Sequence, residues 1–288
     1  EMTVIANIAR VDMAVITNIG ITHTGQLGSQ ENILREKLHI TDGMKDGGLL
    51  ILNGDDPLLK GVQGREGLRT VYYGTGENCD FRAVDICFED GFPSFTAVHG
   101  ADRQRVRLNV MGQHNVMNAM AAMAVCAECG MTMEEAARGL LTGQGFKNRQ
   151  QVHETGRFTI LDDSYNACPE SMKAAFQVFK ELHPERRHAV LAEMRELGRE
   201  TESAHRQVGV FAAEAGIHLL VTLGAECRAL TEEFKKRSGA PVAEFTDKDQ
   251  MTAYLDQALQ DGDCVLFKGA NSMALFKVAA RYMENRPE

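Results

Sequence analysis

Lys37 sits where a charge is not expected. Winding residues 29–41 as a helix at about 100° per residue puts it between Ile33 and Leu34 on the apolar stripe, facing the core. It could snorkel, its stem packed and its ammonium in water. Alternatively, desolvation could favour the neutral amine, which can act as a nucleophile or take up carbon dioxide to become a carbamate, an anionic metal ligand. His23 lies upstream in Asn18-Ile19-Gly20-Ile21-Thr22-His23, just beyond a strand-like run, where ligands of parallel α/β sheets gather. On its own it is an ordinary solvated loop histidine; beside a carbamate-capable lysine it is a candidate metal ligand.

Asn115 and Asn118, three apart at the opening of an Ala- and Met-rich helix, share one face. Their carboxamides suit the edge of an adenine or the capping of a helix start. Further on, Asp162-Asp163, Glu193-Met194-Arg195-Glu196 and Lys268-Gly269 each follow a strand-like run, which gathers them at the carboxyl edge of a sheet. The acid pair could cap the next helix, or Asp163 could accept hydrogen bonds from a ribose diol. No G-x-x-x-x-G-K-[ST], complete G-x-G-x-x-G or G-x-S-x-G occurs, so no phosphate cradle is written in these residues. Cys126 and Cys129 form one C-x-x-C without a second pair, inside an apolar helix, which reads as core packing rather than metal or redox chemistry.

The elements that must position these groups follow from apolar periodicity. Residues 13–16 and 49–52 are strand-like and flank the Lys37 helix, a βαβ pattern, whereas 80–110 alternates with turns and reads as antiparallel. Helical runs at 115–129 and 134–141 close the first half. A Gly-Gln-Gly break near 143–149 divides the chain into domains 1–147 and 148–288. The second half then alternates strand-like 158–161, 189–192, 219–223, 242–245 and 264–267 with helical 171–182, 202–215, 226–236, 250–260 and 272–283, which predicts a parallel sheet covered on both faces. The whole is an α/β chain of 288 residues, long enough for two cores. Its net charge of -9 provides no basic field for nucleic acid or anionic lipid, and no apolar run is long enough to span a bilayer. Glu1 to Gly20 lacks a signal-peptide pattern, and seven irregularly spaced cysteines read as thiols, so a cytoplasmic setting is expected.

The string Ile160-Leu161-Asp162-Asp163-Ser164-Tyr165-Asn166-Ala167 with Cys168-Pro169-Glu170-Ser171 closely resembles a signature of the Mur ligase family, in the branch that adds D-alanyl-D-alanine. Four further segments agree in order: Val15 to Gly20 with His23 and Gly28-Ser29; Asn53-Gly54-Asp55-Asp56-Pro57; Gly112 to Ala122; and Ala192 to Gly198. The resemblance implies a P-loop-type central ATPase domain, a parallel sheet with a small antiparallel region, followed by a Rossmann-like ligase domain. It implies ATP and Mg2+ as cofactors, UDP-N-acetylmuramoyl-tripeptide and D-alanyl-D-alanine as substrates, and a monomer of cytoplasmic peptidoglycan synthesis. Carried over by position, His23 and carbamylated Lys37 match magnesium ligands and catalytic positions. Asn115 and Asn118 match adenine-side residues, Arg149 a nucleotide contact and Asp163 the ribose-binding aspartate. Tyr165, Asn166 and Lys268 match the dipeptide side.

The match also implies that the family's phosphate-binding loop and a magnesium-binding glutamate lie upstream of Glu1, so the chain alone is expected to be inactive. A non-catalytic Mur-like partner and a ligase with another amine acceptor are the alternatives. Cys168 stands where the family usually has Asn, and Ala270-Asn271 where Ser-Arg is common, which bears on the details of dipeptide contact.

Overall fold

The computed structural model describes residues 1–182 and 186–284. It contains two six-stranded sheets, each in its own compact unit: Glu1–Ile21 with Leu27–Gln144, and Thr22–Gln26 with Gly145–Glu288.

In the first unit α1 (Met2–Ala9) leads into β1 (Met13–Ile16); a one-turn helix α2 (Thr24–Leu27), most of it in the segment that groups with the second unit, is followed along the chain by α3 (Gln30–Leu38). Ser29 starts α3 because its extended backbone lets its hydroxyl accept from Asn32 N–H, and a 3-10 turn prolongs the helical path to Gly43. The sheet runs β1, β2 (Leu49–Asn53), β3 (Arg69–Gly74), β4 (Phe81–Glu89), β5 (Phe92–His99) and β6 (Asp102–Arg107). Its first four strands are parallel and its last two pairings antiparallel. β2 shows why a parallel centre needs a continuous apolar run. Leu50 and Leu52 join Ile16, Ile33 and Leu59 on one face, while Leu49 and Ile51 meet the core formed with α4 (His114–Glu128) and α5 (Met133–Leu141) on the other. β5 instead buries Phe95 and Ala97 and leaves the alternate residues more open, as a one-sided strand should.

In the second unit the strand order is β11 (Val242–Phe245), β10 (Leu219–Leu223), β9 (Arg187–Ala192), β12 (Cys264–Lys268), β8 (Thr159–Asp162), β7 (Gln151–Glu154). All but β7 are parallel. The connecting helices are α6 (Pro169–Glu181), α7 (Thr201–Glu214), α8 (Arg228–Arg237), α9 (Lys248–Ala258) and α10 (Leu275–Met283). Because β12 returns between β8 and β9, the ends of these neighbours bring Asp163, Lys268 and Glu193 to one edge. Gly269 permits that approach: a Cβ there would lie 2.6 Å from the Ala192 Cβ.

The α/β architecture and the antiparallel 80–110 region agree with the sequence. α1, β3 and β7 were not expected. β3 mixes Arg69 and Thr70 with Val71 and two tyrosines, and β7 is a polar edge strand, so neither carries a continuous apolar run. The link near 143–148 has no regular structure and is exposed, with Phe146 open to solvent. Limited proteolysis should therefore cut there and leave a resistant fragment beginning near Arg149. Rapid digestion of the C-terminal part at the same rate as the link would show that it does not fold alone.

Candidate active-site residues

At the end of β1, the Thr17-Asn18-Ile19 backbone is held from several sides. Asp56 accepts from Ile19 N–H at 2.8 Å, and from Leu58 and Leu59 N–H at 2.9 and 3.1 Å. Asn53 Nδ2 donates to Thr17 O at 2.9 Å and Gln30 Nε2 to Ile19 O at 2.9 Å. Lys37 is half-buried, and its Nζ donates to the remaining carbonyl, Asn18 O, at 2.8 Å. Burial holds its ammonium below the usual lysine value, and the Asp56 charge opposes that shift without reversing it. The Asn53–Pro57 segment, noted from sequence without a role, thus supplies the clamp for this loop.

On α4, Asn115 Nδ2 donates to Met111 O at 2.7 Å, so Asn115 does serve the helix start, while Asn118 Nδ2 donates to Asn115 Oδ1 at 3.0 Å. This relay leaves the exposed Asn118 Oδ1 without a partner among the described residues.

In the second unit Lys268 is enclosed, 1% exposed. Its Nζ lies 2.6 Å from Asp163 Oδ2, 3.0 Å from Asn166 O and 3.4 Å from Asp163 O. Burial pushes the Asp163 carboxyl up, and the neighbouring ammonium pulls it back. Asp162 is used locally, accepting from Asn148 Nδ2 at 2.7 Å and from Ser164 N–H and Oγ at 3.1 and 2.5 Å. Tyr165 and Asn166 remain exposed, and the Arg149 guanidinium lies 4.0 Å over the Tyr165 ring. Cys168 is the N-cap of α6: its N–H is bonded to Ser171 Oγ, and Pro169 takes the first helical position. Asn271 Nδ2 donates to Tyr165 O at 3.1 Å. Of the departures from the family pattern, Asn271 thus braces this turn through its side chain, whereas Cys168 contributes its backbone N–H.

The loop after β9 is the group sequence reasoning left without a support. Glu193 pairs with Arg195 at 2.5 Å and accepts from Glu226 N–H at 3.1 Å. It fits because Gly224, at φ 110°, has no Cβ, which would sit 2.3 Å from Glu193 Oε1. Met194 N–H donates to His205 Nε2 at 3.1 Å, and His205 Nδ1 lies 2.7 Å from Thr201 O. An imidazole that accepts at Nε2 donates at Nδ1, so buried His205 is held neutral in one tautomer. No motif marks His205; its place within apolar α7 was the only signal. His23, at φ 73°, lies in the segment that groups with this unit, where its Nδ1 is 2.5 Å from Glu196 Oε2, and Gly25 N–H donates to Glu196 O at 3.2 Å. Lys37 and His23 therefore fall in different units. Among the described residues no three His, Cys, Asp or Glu converge as a metal cage.

Residues 1–126 match the Mur ligase middle domain, and residues 148–271 match the Mur ligase, glutamate ligase domain. The chain is 34% identical to the UDP-N-acetylmuramoyl-tripeptide--D-alanyl-D-alanine ligase of Bacillus subtilis over 99% of its own length and 62% of that protein. It superposes on a crystal structure of MurF from Acinetobacter baumannii with a TM-score of 0.87 at 26% identity, covering 98% of this chain and 62% of that one. A MurF ligase structure from Thermotoga maritima in complex with ADP has the same fold, with a TM-score of 0.83 at 22% identity over 98% and 64% of the two chains. The chain thus spans less than two thirds of the length of these relatives.

Burial holds His205 and His188 below the ordinary histidine value of 6.5. The unfolded chain therefore takes up protons near pH 6.5 that the folded chain refuses, so this stability is full above that pH and is lost as pH falls below it. Denaturant midpoints should fall from about pH 7 to about pH 5, and His205→Gln should flatten part of that slope. An unchanged slope in the variant would mean that His205 titrates alike in both states.

Proposed function

The chain belongs to the Mur ligase family, carrying its middle and glutamate ligase domains in that order, and we propose that it is part of a cytoplasmic, monomeric enzyme joining D-alanyl-D-alanine to UDP-N-acetylmuramoyl-tripeptide. The observation that carries this reading is the alignment of 99% of the chain with a ligase of that name. The net charge of -9 provides no basic field for nucleic acid or anionic lipid, so anionic substrates must meet local positive groups such as Arg149.

ATP supplies the phosphoryl group that turns the peptide's terminal carboxylate into an acyl phosphate, which the dipeptide amine then attacks with release of phosphate. Activation is needed because a carboxylate is a poor electrophile. The relay of Asn115 and Asn118 offers an amide edge to adenine. Arg149 presents guanidinium donors to phosphate oxygens. Asp163 is assigned to the ribose diol, with part of its hydrogen-bonding capacity already taken by Lys268 and by Gln150 N–H. Asn166 is exposed and open to the acceptor, whereas Lys268, enclosed by protein oxygens, acts by fixing the turn that carries it.

Lys37 fits a carbamate in two respects. Its lowered pKa enlarges the neutral fraction whose lone pair forms the N–C bond to carbon dioxide with loss of one proton. The nitrogen keeps an N–H afterwards, so the bond to Asn18 O can persist. Magnesium takes one or two protein groups and fills its octahedron with water and phosphate oxygens. A carbamate on Lys37 suits that sparse protein share without a cage of three.

In the protein expressed from its complete reading frame, ADP release should require both UDP-N-acetylmuramoyl-tripeptide and D-alanyl-D-alanine. Equal turnover with unrelated amines would overturn the acceptor assignment, and no turnover would favour a non-catalytic role. Lys37→Ala should lower ligation by about 100-fold or more, with no recovery on adding bicarbonate. Near-normal turnover of that variant would exclude the carbamate.

A further inference from the structure

Arg149 and Tyr165 are held in a relation that neither residue's separate assignment requires. The Arg149 guanidinium carbon lies 4.0 Å from the centroid of the Tyr165 ring, and no ion pair is formed by Arg149 among the described residues, although the chain carries 40 acids against 31 bases. Both partners are fixed from behind. Tyr165 N–H donates to Asn148 O at 3.0 Å, and Asn271 Nδ2 holds Tyr165 O at 3.1 Å. Arg149 is flanked by two residues at positive φ, Asn148 at 60° and Gln150 at 47°. Its own N–H is bonded to Phe146 O at 3.1 Å. Asn148 is tied to Asp162 through its side chain and to Gln151 Oε1 through its N–H.

Stacking occupies the face of a guanidinium and leaves its in-plane N–H donors free, whereas a carboxylate partner would take those donors. Asp163, whose carboxyl feels the Arg149 charge, has its Oδ2 occupied by Lys268. The geometry points to Tyr165 as a positioning residue that holds Arg149 edge-on for the phosphate oxygens of the nucleotide, rather than as a dipeptide contact. This rests on the nucleotide reading of Arg149 given above. The ring face carries the role, and the hydroxyl is not needed.

The test uses the protein from its complete reading frame and compares KM for ATP with KM for D-alanyl-D-alanine in Y165L, Y165F, R149K and the double variant Y165L/R149K. Y165L should raise KM for ATP by about three- to ten-fold and leave that for the dipeptide in place, and Y165F should restore it. The double variant should be no worse than R149K, because the two substitutions remove one shared contact. A rise in the dipeptide KM alone, or additive effects in the double variant, would overturn the proposal. Should Y165L aggregate, Tyr165→Gln at the same exposed position carries the same expectation. If the parent shows no dipeptide-dependent turnover, the ligase reading fails first. ADP affinity measured by calorimetry then decides: weaker binding in Y165L supports the positioning role, and equal binding removes it.

Discussion

An ammonium closed off from water at the end of a β-strand keeps its charge only if protein oxygens replace the solvent. For Lys268 those oxygens are Asp163 Oδ2 and the carbonyls of Asp163 and Asn166, so meeting this demand draws the turn after β8 over the end of β12. The rest of the local architecture follows from that turn. Asp162 accepts from Ser164 and Asn148, Asn148 O receives Tyr165 N–H, and Asn271 braces Tyr165 from the other side. Removing one member of such a buried pair leaves the other charge uncompensated, at a cost of about 3–5 kcal/mol. The pair therefore fixes the place of exposed groups that never touch it.

The first unit solves the corresponding problem with a buffered carboxylate and no buried salt bridge. Asp56 takes three backbone N–H groups, one from the loop after β1 and two from its own turn, so a single side chain ties the ends of β1 and β2 together. Its charge also faces Lys37 and favours the ammonium, yet burial outweighs it. The same residue thus holds the loop whose carbonyl Lys37 meets and limits how far the amine can be neutralised. A clamp built from backbone amides suits this position better than a second lysine–carboxylate contact, which would keep Lys37 permanently charged.

Much of this was legible in the residues. The uninterrupted Leu49-Leu50-Ile51-Leu52 run announced a strand buried on both faces, and the alternation in 80–110 announced the antiparallel part, because each pattern is a direct image of which faces meet water. The strand-end rule likewise located Asp163, Glu193 and Lys268 on one edge. What the sequence could not convey was pairing. Lys268 and Asp163 are 105 residues apart, and that they spend their hydrogen bonds on each other depends on β12 inserting between β8 and β9, a matter of topology. His205 was invisible for the same reason, since its partner Met194 N–H belongs to a loop that reaches it only once α7 has folded back.

The strand-end rule therefore identifies a region and not the roles within it. Of the charged and polar groups it gathers, Asp162, Glu193 and Lys268 are already bonded to protein and work as struts. The groups with donors or acceptors left over are others: Arg149 on its aromatic support and the exposed Asn166 in this unit and, in the first unit, Asn118 at the end of its amide relay. That division has an energetic basis. A ligand gains most from groups whose orientation is already fixed and whose hydrogen bonds are not yet made, and the buried struts provide the first condition by giving up the second. A motif such as Asp162-Asp163-Ser164-Tyr165-Asn166 therefore combines two kinds of residue, those that shape the turn and those that the turn presents.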